Sequence, residues 1–220
     1  MKVVAVDGPG GAGKSSVSRA LAARLGWSHL DTGAFYRAAT LAVLRAGIDP
    51  ENASAVAKLV DQLKFRQERA SMFLDGEDVS EEIRTREVTA AVSVVSAHRE
   101  VRRTLVRHQR QWVAAHPGPV VVEGRDIGSV VFPDAELKIW LMASPAERAR
   151  RRASETGEAV SAVAADLARR DQADSNRAAS PQKPAPDAVW VDTTNLAIDS
   201  VVERIVAMIE EPGKVLPHPG

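Results

Sequence analysis

Continuous apolar runs alternate with apolar residues at helical spacing along the first fifty residues. The run at 3–6 is uninterrupted and mostly β-branched, which is typical of a strand buried on both faces. Apolar residues that recur every four positions predict an amphipathic helix over about 14–25. A short strand at 27–30 and a second helix over about 33–46 follow. This order of elements predicts an α/β fold.

The middle of the chain is more polar and its pattern is less regular. Short alternating runs around 64–74, with Asp75-Gly76 as a turn signal, predict short strands. Helical spacing then predicts a helix that begins at Ser80 and two longer helices that meet near His98. We therefore predict an insertion over about 64–96 that has its own small sheet.

The last hundred residues return to a regular alternation of strands and helices. The predicted elements are a strand at 120–122, a strand at 137–142, a helix from 145 that Gly157 interrupts, a helix from about 159 to 170 or beyond, a strand at 188–192 and an amphipathic closing helix over 198–209. The segment Ser144-Pro145-Ala146-Glu147 predicts an N-cap, a proline in the first turn and a capping box. The tail over 212–220 is expected to be disordered.

Composition narrows the class of protein. The 220 residues are 45% hydrophobic, which suits a single domain with an inserted subdomain. The formal net charge is zero, so nothing indicates binding to nucleic acid or to an anionic membrane. The absence of cysteine excludes disulfides, thiolate catalysis and cysteine metal ligands. With no signal-peptide pattern and no membrane-spanning run, we expect a soluble, cytoplasmic monomer.

The segment after the first predicted strand fits G-x-x-x-x-G-K-[ST], the pattern of a P-loop. Its residues are Gly8, Pro9, Gly10, Gly11, Ala12, Gly13, Lys14, Ser15 and Ser16. Glycines let the backbone lie close to a ligand, and the amide groups at a helix N-terminus hold an anion. Lys14 would reach the β- and γ-phosphates of a nucleoside triphosphate, and the Ser15 hydroxyl would bind Mg²⁺. An ordinary glycine-rich turn is the weaker alternative, because a strand precedes this segment and an amphipathic helix follows it.

Polar residues also follow two other predicted strands. Asp31-Thr32-Gly33 ends the short strand and supplies Asp31 or Thr32 as the next N-cap, with Arg37 one helical turn later. Glu123-Gly124-Arg125-Asp126 follows the strand at 120–122. Because open α/β sheets bind ligands beyond the carboxyl ends of their strands, these segments indicate a shared site with the P-loop. Glu123 and Asp31 are candidates to hold Mg²⁺ through water, although a capped helix or a solvated turn would explain each segment alone.

Charged residues on two later helices are further candidates. They are Arg148, Arg151 and Arg152 on one predicted helix and Arg170, Asp174 and Arg177 on the next. Phosphoryl transfer requires positioning and positive charge around the moving group, which arginines on a mobile lid hinged at Gly157 would supply. The second set is spaced i, i+4, i+7 and shares one helix face. Exposed basic or salt-bridged surfaces would explain both sets equally well on spacing alone.

The sequence resembles a known family, the bacterial cytidylate (CMP) kinases. The resemblance rests on the P-loop, on 31–37 (Asp-Thr-Gly-Ala-Phe-Tyr-Arg), on 124–135 (GRDIGSVVFPDA) and on the segment 170–181. These motifs occur in family order from residue 8 to residue 181 and so cover nearly the whole chain. The resemblance implies a P-loop nucleoside-monophosphate kinase fold, a three-layer α/β/α arrangement with a five-stranded parallel sheet. Its implied parts are a core of about 1–63, 97–150 and 162–211, a monophosphate-binding insertion of about 64–96 and a lid of about 151–161.

The resemblance also implies transfer of the γ-phosphoryl group of Mg-ATP to CMP or dCMP in pyrimidine metabolism. The matching positions are Arg37, Arg125 and Arg177 for the CMP phosphate, Ser93, Arg102 and Asp126 for cytosine, and Arg170 and Asp174 near the sugar, with Thr32 also in the CMP site. Lys14, Arg148, Arg152 and Arg177 are the implied catalytic residues. For the arginines whose spacing fitted either a functional or a surface role, this assignment favours the functional role.

The cytosine assignment agrees with the chemistry of the base. Cytosine offers an N4 amino donor that the Asp126 carboxylate can accept, whereas uracil places an oxygen there. Arg102 can donate to the N3 and O2 acceptors of cytosine. The chain departs from the family pattern in two places: Lys-Ser-Ser replaces a frequent Lys-Gly-Thr, and Glu123 stands where aspartate is common.

Two other functions stay open on the sequence. One is a P-loop kinase with a different acceptor, such as UMP, AMP or shikimate. The other is a GTPase switch or an NTP-sensing module, which would read guanine, but the chain has no Asn-Lys-x-Asp segment for that purpose.

Overall fold

The structure, a computed structural model, describes residues 2–177 and 180–211, so the predicted disordered tail at 212–220 lies outside the described residues. The elements in chain order are β1 (Val3–Asp7), α1 (Lys14–Leu25), β2 (Ser28–Asp31), α2 (Thr32–Arg45), α3 (Ala53–Val60), β3 (Phe65–Glu68), β4 (Ser71–Leu74), β5 (Glu77–Asp78), α4 (Arg86–Ala97), α5 (Arg99–Ala114), β6 (Val120–Gly124), β7 (Leu137–Met142), α6 (Pro145–Thr156), α7 (Val160–Asn176), β8 (Val189–Asp192) and α8 (Ile198–Glu210). A 3₁₀ turn at Glu82–Arg84 precedes α4, and a π-helical turn at Ile127–Val131 follows β6.

The central sheet has five strands in the order β2-β6-β1-β7-β8, and every pairing in it is parallel. β1 and β6 lie inside the sheet and every residue of both is buried. This burial explains their uninterrupted apolar runs, since a strand covered on both faces has no solvent-facing position. Asp7 pairs in register with Gly124, and Asp31 with Glu123, so the polar strand ends lie at one edge of the sheet. The predicted five-stranded parallel α/β fold is confirmed.

Two hydrophobic cores cover the two faces of this sheet and make the three layers. One core joins the sheet to α2, α4 and α5 and includes the fully buried Phe35. The other joins the sheet to α1 and α8 and includes Leu21 and Ile205. A third, small cluster contains residues of α6 and α7 alone. The pair α6–α7 therefore has its own apolar contact, separate from the two main cores.

The predicted small sheet is present as an antiparallel β3-β4-β5 arrangement. The turn at Asp75-Gly76 joins β4 to β5, and both residues have positive φ, 50° and 95°. The Gln67 side chain in β3 accepts a hydrogen bond from the Asp31 amide (3.0 Å) and donates one to the His29 carbonyl (2.9 Å). These two bonds fix the small sheet to the edge of β2, at the point where the polar strand end begins.

Two local predictions need correction. The helix expected from Ser80 is only the turn at Glu82–Arg84, because the Ser80 hydroxyl accepts a hydrogen bond from the Met72 amide in β4 (2.9 Å). Only half of the predicted capping box at α6 forms: the Ser144 hydroxyl accepts a hydrogen bond from the Glu147 amide (3.2 Å). The Glu147 carboxylate instead binds arginines of its own helix.

The remaining boundaries agree with the pattern to within a few residues. β2 begins one residue later than predicted, and Asp31, not Thr32, is the N-cap of α2, accepting from the Ala34 amide at 3.1 Å. The two long helices meet at His98, as expected. Within the described ranges, no helix has both the length and the apolar character needed to cross a bilayer.

Candidate active site

A cavity of about 900 Å³ opens beyond the carboxyl ends of β1, β2 and β6. The predicted site residues that line it are Gly10, Gly11, Ala12, Gly13, Lys14, Ser15, Ser16, Asp31, Thr32, Arg37, Ser93, Arg102, Glu123, Arg125, Asp126, Arg152, Arg170, Asp174 and Arg177. Gly8, Pro9 and Arg148 are not among the lining residues. Segments far apart in sequence thus share one space at the sheet edge, as the strand-end argument predicts.

The P-loop begins at a position that only glycine can occupy. Gly8 has φ of +150°, and a Cβ placed there would lie 2.1 Å from the backbone oxygen of Leu141 in the neighbouring strand. Gly13 is the N-cap of α1 and also has positive φ, at 86°. Because these residues have no side chain, the loop turns tightly between β1 and α1 and its backbone can lie close to a ligand.

Lys14 lies inside the curve of this loop, where its Nζ donates a hydrogen bond to the Pro9 carbonyl at 2.8 Å. Burial, followed by the nearby Arg125 guanidinium, lowers the pKa of Lys14 to about 7. The ammonium form is therefore less favoured than in an exposed lysine. A polyanion beside it would favour the ammonium form by supplying negative charge.

Two carboxylates, those of Glu123 and Asp31, lie beside the P-loop helix α1. Glu123 is buried; its Oε2 accepts from the Ser15 hydroxyl at 2.8 Å, and its Oε1 is 3.0 Å from His29 Nε2. The Thr32 hydroxyl donates to the Glu123 carbonyl at 2.7 Å. Burial and the adjacent Glu123 charge raise the pKa of Asp31. The two carboxylates lie close together beside the Ser15 hydroxyl, with Arg84 3.6 Å from Asp31 as a partial counter-charge.

This set of oxygen atoms fits Mg²⁺, which prefers carboxylate, hydroxyl and water oxygens and binds proteins through one or two carboxylates plus substrate phosphates. Within residues 2–177 and 180–211, no group of three or more His, Asp or Glu side chains could hold a metal by itself. The ion would therefore depend on the phosphates of a bound nucleotide for most of its remaining ligands.

Arginines dominate the far side of the cavity. Arg125 is held by Asp174 (3.0 Å), Asp171 (3.2 Å) and Gln182 (2.8 Å). Arg37 donates to the Ile83 carbonyl (3.1 Å) and to the Thr89 hydroxyl (2.9 Å). These bonds come from the 3₁₀ turn at Glu82–Arg84, α4, α7 and the loop before β8, and they fix the orientation of the guanidinium groups.

Several guanidinium nitrogens in this cluster are buried and have no hydrogen-bond partner among the described residues. They are Nε of Arg102, Nε of Arg170 and a terminal nitrogen of Arg177. A buried donor without an acceptor is costly, so its presence indicates a ligand that supplies the acceptor. Burial lowers the pKa of both Arg170 and Arg177, with neighbouring arginines as a further cause. The cluster is thus electrostatically suited to an anion such as a phosphate.

The deep end of the cavity holds a buried ion pair between Arg102 and Asp126. The Arg102 guanidinium carbon lies 5.1 Å from the ring centroid of Tyr36. Asp7 fixes the segment that carries Asp126, because its carboxylate accepts from the amides of Ile127 and Gly128, both at 2.8 Å. Burial raises the pKa of Asp7 to about 6. The carboxylate and the guanidinium of the ion pair are therefore presented together on a rigid support.

Arg148 differs from Arg151 and Arg152 of the same helix because it does not line the cavity. It donates to the Gly10 carbonyl at 2.9 Å and forms an ion pair with Asp171. Arg152 lines the cavity and bonds to Glu155 at 2.9 Å. Arg151 also lines it and donates to the Thr193 carbonyl at 2.6 Å. The catalytic role assigned to Arg148 and Arg152 stays a prediction, and the guanidinium of Arg148 rests on the P-loop backbone.

Sequence reasoning missed three residues that organise the site: His29, Asp171 and Gln182. Strand alternation could have found His29, because residues two apart in β2 share one face and Asp31 was already a candidate. Asp171 lies one helical turn before Asp174, so the same spacing argument could have placed it on the charged face of the helix. Gln182 lies within the proline-rich loop at 181–186, and no periodic pattern indicated it.

Several solved structures share this fold at low sequence identity. A protein from Thermus thermophilus superposes with a TM-score of 0.52 and 17% identity, covering 98% of each chain. Shikimate kinase from Bacteroides thetaiotaomicron superposes with a TM-score of 0.50 and 15% identity, covering 96% of this chain and 99% of that chain. The fold and the P-loop sequence together define the class as P-loop proteins of the α/β type.

Sequence comparison gives the family within that class. The cytidylate kinase family model matches residues 4–211. The cytidylate kinase of Mycobacterium leprae is 53% identical, with 95% of this chain and 96% of that protein covered. The cytidylate kinase of Rhodococcus opacus is 51% identical, with 95% of both covered. The chain belongs to the cytidylate kinase family, so the resemblance drawn from its motifs is confirmed.

Proposed function

We propose that this protein is an ATP:CMP phosphotransferase, which converts CMP or dCMP to CDP or dCDP with ATP as donor. One observation carries the proposal: a single cavity joins the P-loop, a cluster of buried and partly unpaired arginines, and the Arg102–Asp126 pair. A triphosphate, a monophosphate and a cytosine base each have a chemically matched region there. Family membership and relatives about 50% identical over nearly the full chain support the same activity.

On the donor side, the P-loop amides and Lys14 hold the ATP phosphates. The lysine replaces its bond to the Pro9 carbonyl with bonds to phosphate oxygens, and the added negative charge restores its ammonium form. Ser15, Glu123 and Asp31 would hold Mg²⁺, directly for the hydroxyl and through water for the carboxylates. When bound, the ion neutralises charge on the β- and γ-phosphates.

On the acceptor side, Arg37, Arg125 and Arg177 bind the CMP phosphate. Their guanidinium groups already have fixed orientations, so little entropy is lost when the phosphate arrives. Arg170 and Asp174 lie beside this cluster and would contact the sugar. Thr32 is buried next to the Glu123 carbonyl and supports the CMP site at the end of β2.

The base is read at the deep end of the cavity. Asp126 accepts from the cytosine N4 amino group, Arg102 donates to the ring N3 and O2, and Ser93 lines the same region. An oxygen at position 4, as in uracil, would face the Asp126 carboxylate and leave a buried repulsion. Discrimination of this kind is large when buried polar groups lose their partners.

The transfer itself requires positioning rather than covalent help. The acceptor phosphate is already ionised at neutral pH, so its oxygen attacks without a general base, and ADP leaves in line. Lys14, Arg177, Arg148 and the lid residue Arg152 stabilise the charge on the moving phosphoryl group. Closure of the lid (151–161) and the insertion (64–96) over the core excludes water as a competing acceptor. We further propose that the protein is a cytoplasmic monomer without nucleic-acid partners.

The experiment that tests this function is release of ADP from Mg-ATP with CMP, dCMP, AMP or shikimate as acceptor, or with none. Strong turnover with CMP and dCMP, and background rates otherwise, is the expected result. Strong turnover with shikimate or AMP would keep the kinase class and reject the acceptor. ADP release that does not depend on an acceptor would reject the transferase function.

A further inference from the structure

The pair α6–α7 packs directly against the P-loop. Its own apolar contact consists of Ala149, Ala153, Val163 and Leu167. A Cβ added at Gly10 would lie 2.9 Å from Leu167 Cδ2, and one added at Gly11 would lie 3.0 Å from both Cβ and the carbonyl oxygen of Arg148. Glycine at these two P-loop positions therefore allows the helix pair to approach the loop backbone closely.

Both polar backbone groups of Gly10 are bound by this helix pair. The Gly10 amide donates to Asp171 Oδ1 at 3.1 Å, and the Gly10 carbonyl accepts from Arg148 at 2.9 Å. Arg148 also forms an ion pair with the other oxygen of Asp171. The peptide groups around Gly10 are thus fixed to α6 and α7 by a closed set of three contacts.

The same oxygen of Asp171 contacts the acceptor side of the cavity. Asp171 Oδ1 accepts from Arg125 at 3.2 Å while it accepts from the Gly10 amide. Burial of Asp171 opposes ionisation, but Arg125, the Gly10 amide and Arg148 outweigh it and lower the pKa of the carboxyl group. One charged carboxylate therefore joins the loop that cradles the donor phosphates to the arginine assigned to the acceptor phosphate.

We propose that Asp171 is a positioning residue that couples occupancy of the two substrate sites. A shift of Gly10 on binding of the donor phosphates is transmitted through Asp171 to Arg125, so that one bound substrate favours the geometry that binds the other. This inference rests on the proposed function. Arg125 retains Asp174 and Gln182 when Asp171 is lost, so the acceptor site itself persists and only its link to the P-loop is broken.

Calorimetry can measure the coupling. The dissociation constant for CMP is determined alone and with the magnesium complex of a non-hydrolysable ATP analogue, and their ratio is the coupling factor. Coupled sites commonly give factors of about 5 to 150, and we expect the wild-type protein to lie in that range. The Asp171→Asn variant should bind CMP alone within a few-fold of wild type, with a coupling factor within about twofold of one.

Glu203→Gln is the matched control. It removes an exposed carboxylate of α8 that pairs with Arg24 and does not line the cavity, so the coupling factor should stay at the wild-type value. Arg148→Lys supplies a second test if Asp171→Asn unfolds on heating at a much lower temperature. A single ammonium group cannot span both the Gly10 carbonyl and Asp171, so the coupling factor should fall at least twofold.

A wild-type coupling factor near one would overturn the inference, and so would an unchanged factor in a folded Asp171→Asn variant or, where that variant is unstable, in Arg148→Lys. Turnover distinguishes this failure from failure of the proposed function. A wild-type protein that phosphorylates CMP but shows no coupling contradicts only the role of Asp171. A wild-type protein that neither binds nor phosphorylates CMP contradicts both.

Discussion

Replacing Lys14 with alanine is expected to lower kcat/KM for ATP by about 10³-fold, the scale seen when a transition-state charge donor is removed from phosphoryl or acyl transfer. The ammonium group is the positive charge that reaches into the curve of the P-loop, and its described hydrogen bond is to the Pro9 carbonyl. The variant loses a charge that burial and Arg125 already disfavour. The fold should therefore survive while catalysis fails.

Steady-state kinetics with thermal unfolding measured in parallel checks this expectation. Lys58→Ala is the matched control, because Lys58 is exposed on α3 and lies outside the residues that line the cavity. Turnover of Lys14→Ala within about tenfold of wild type would contradict the assignment of the P-loop as the donor site.

Replacing Arg177 with alanine should mainly impair the use of CMP, with kcat/KM for CMP lowered by about 10²-fold or more and the KM for ATP changed little. Its side chain is buried, donates to the Asp174 carbonyl at 3.2 Å and has a terminal nitrogen without a partner among the described residues. A charge-assisted bond from such a buried donor to a phosphate is stronger than a neutral one.

The control for this variant lies on the same helix. Arg169 is exposed and forms an ion pair with Asp166, so Arg169→Ala should keep wild-type kinetics with both substrates. An unchanged response of Arg177→Ala to CMP concentration would reject its role at the acceptor phosphate.

Much of the fold follows from local pattern. The buried strands β1, β6 and β7 appear as apolar runs because a parallel sheet is covered on both faces, and α1 coincides with the predicted helix. The helix expected from Ser80 is only a short turn, because the Ser80 hydroxyl accepts a hydrogen bond from the Met72 amide in β4. Helix propensity gives no information on such a contact, so the tertiary contact overrode the local preference for a helix.

The candidate site was predictable in part for the same reason. Strand ends and a glycine-rich loop place Lys14, Asp31 and Glu123 at one sheet edge, and the family resemblance adds the arginines. The contacts that join these parts were not predictable. Asp171 binds the Gly10 amide across 161 residues, and His29 meets Glu123 across 94. Only the folded chain brings such pairs together.

The central claim is that the Arg102–Asp126 pair makes this kinase select cytosine, and the rates with CMP and UMP test it most directly. Release of ADP from Mg-ATP is measured with each acceptor over the same concentration range. The account predicts at least about tenfold lower kcat/KM with UMP, because its O4 would face the buried Asp126 carboxylate. Equal kcat/KM for UMP and CMP would contradict the account.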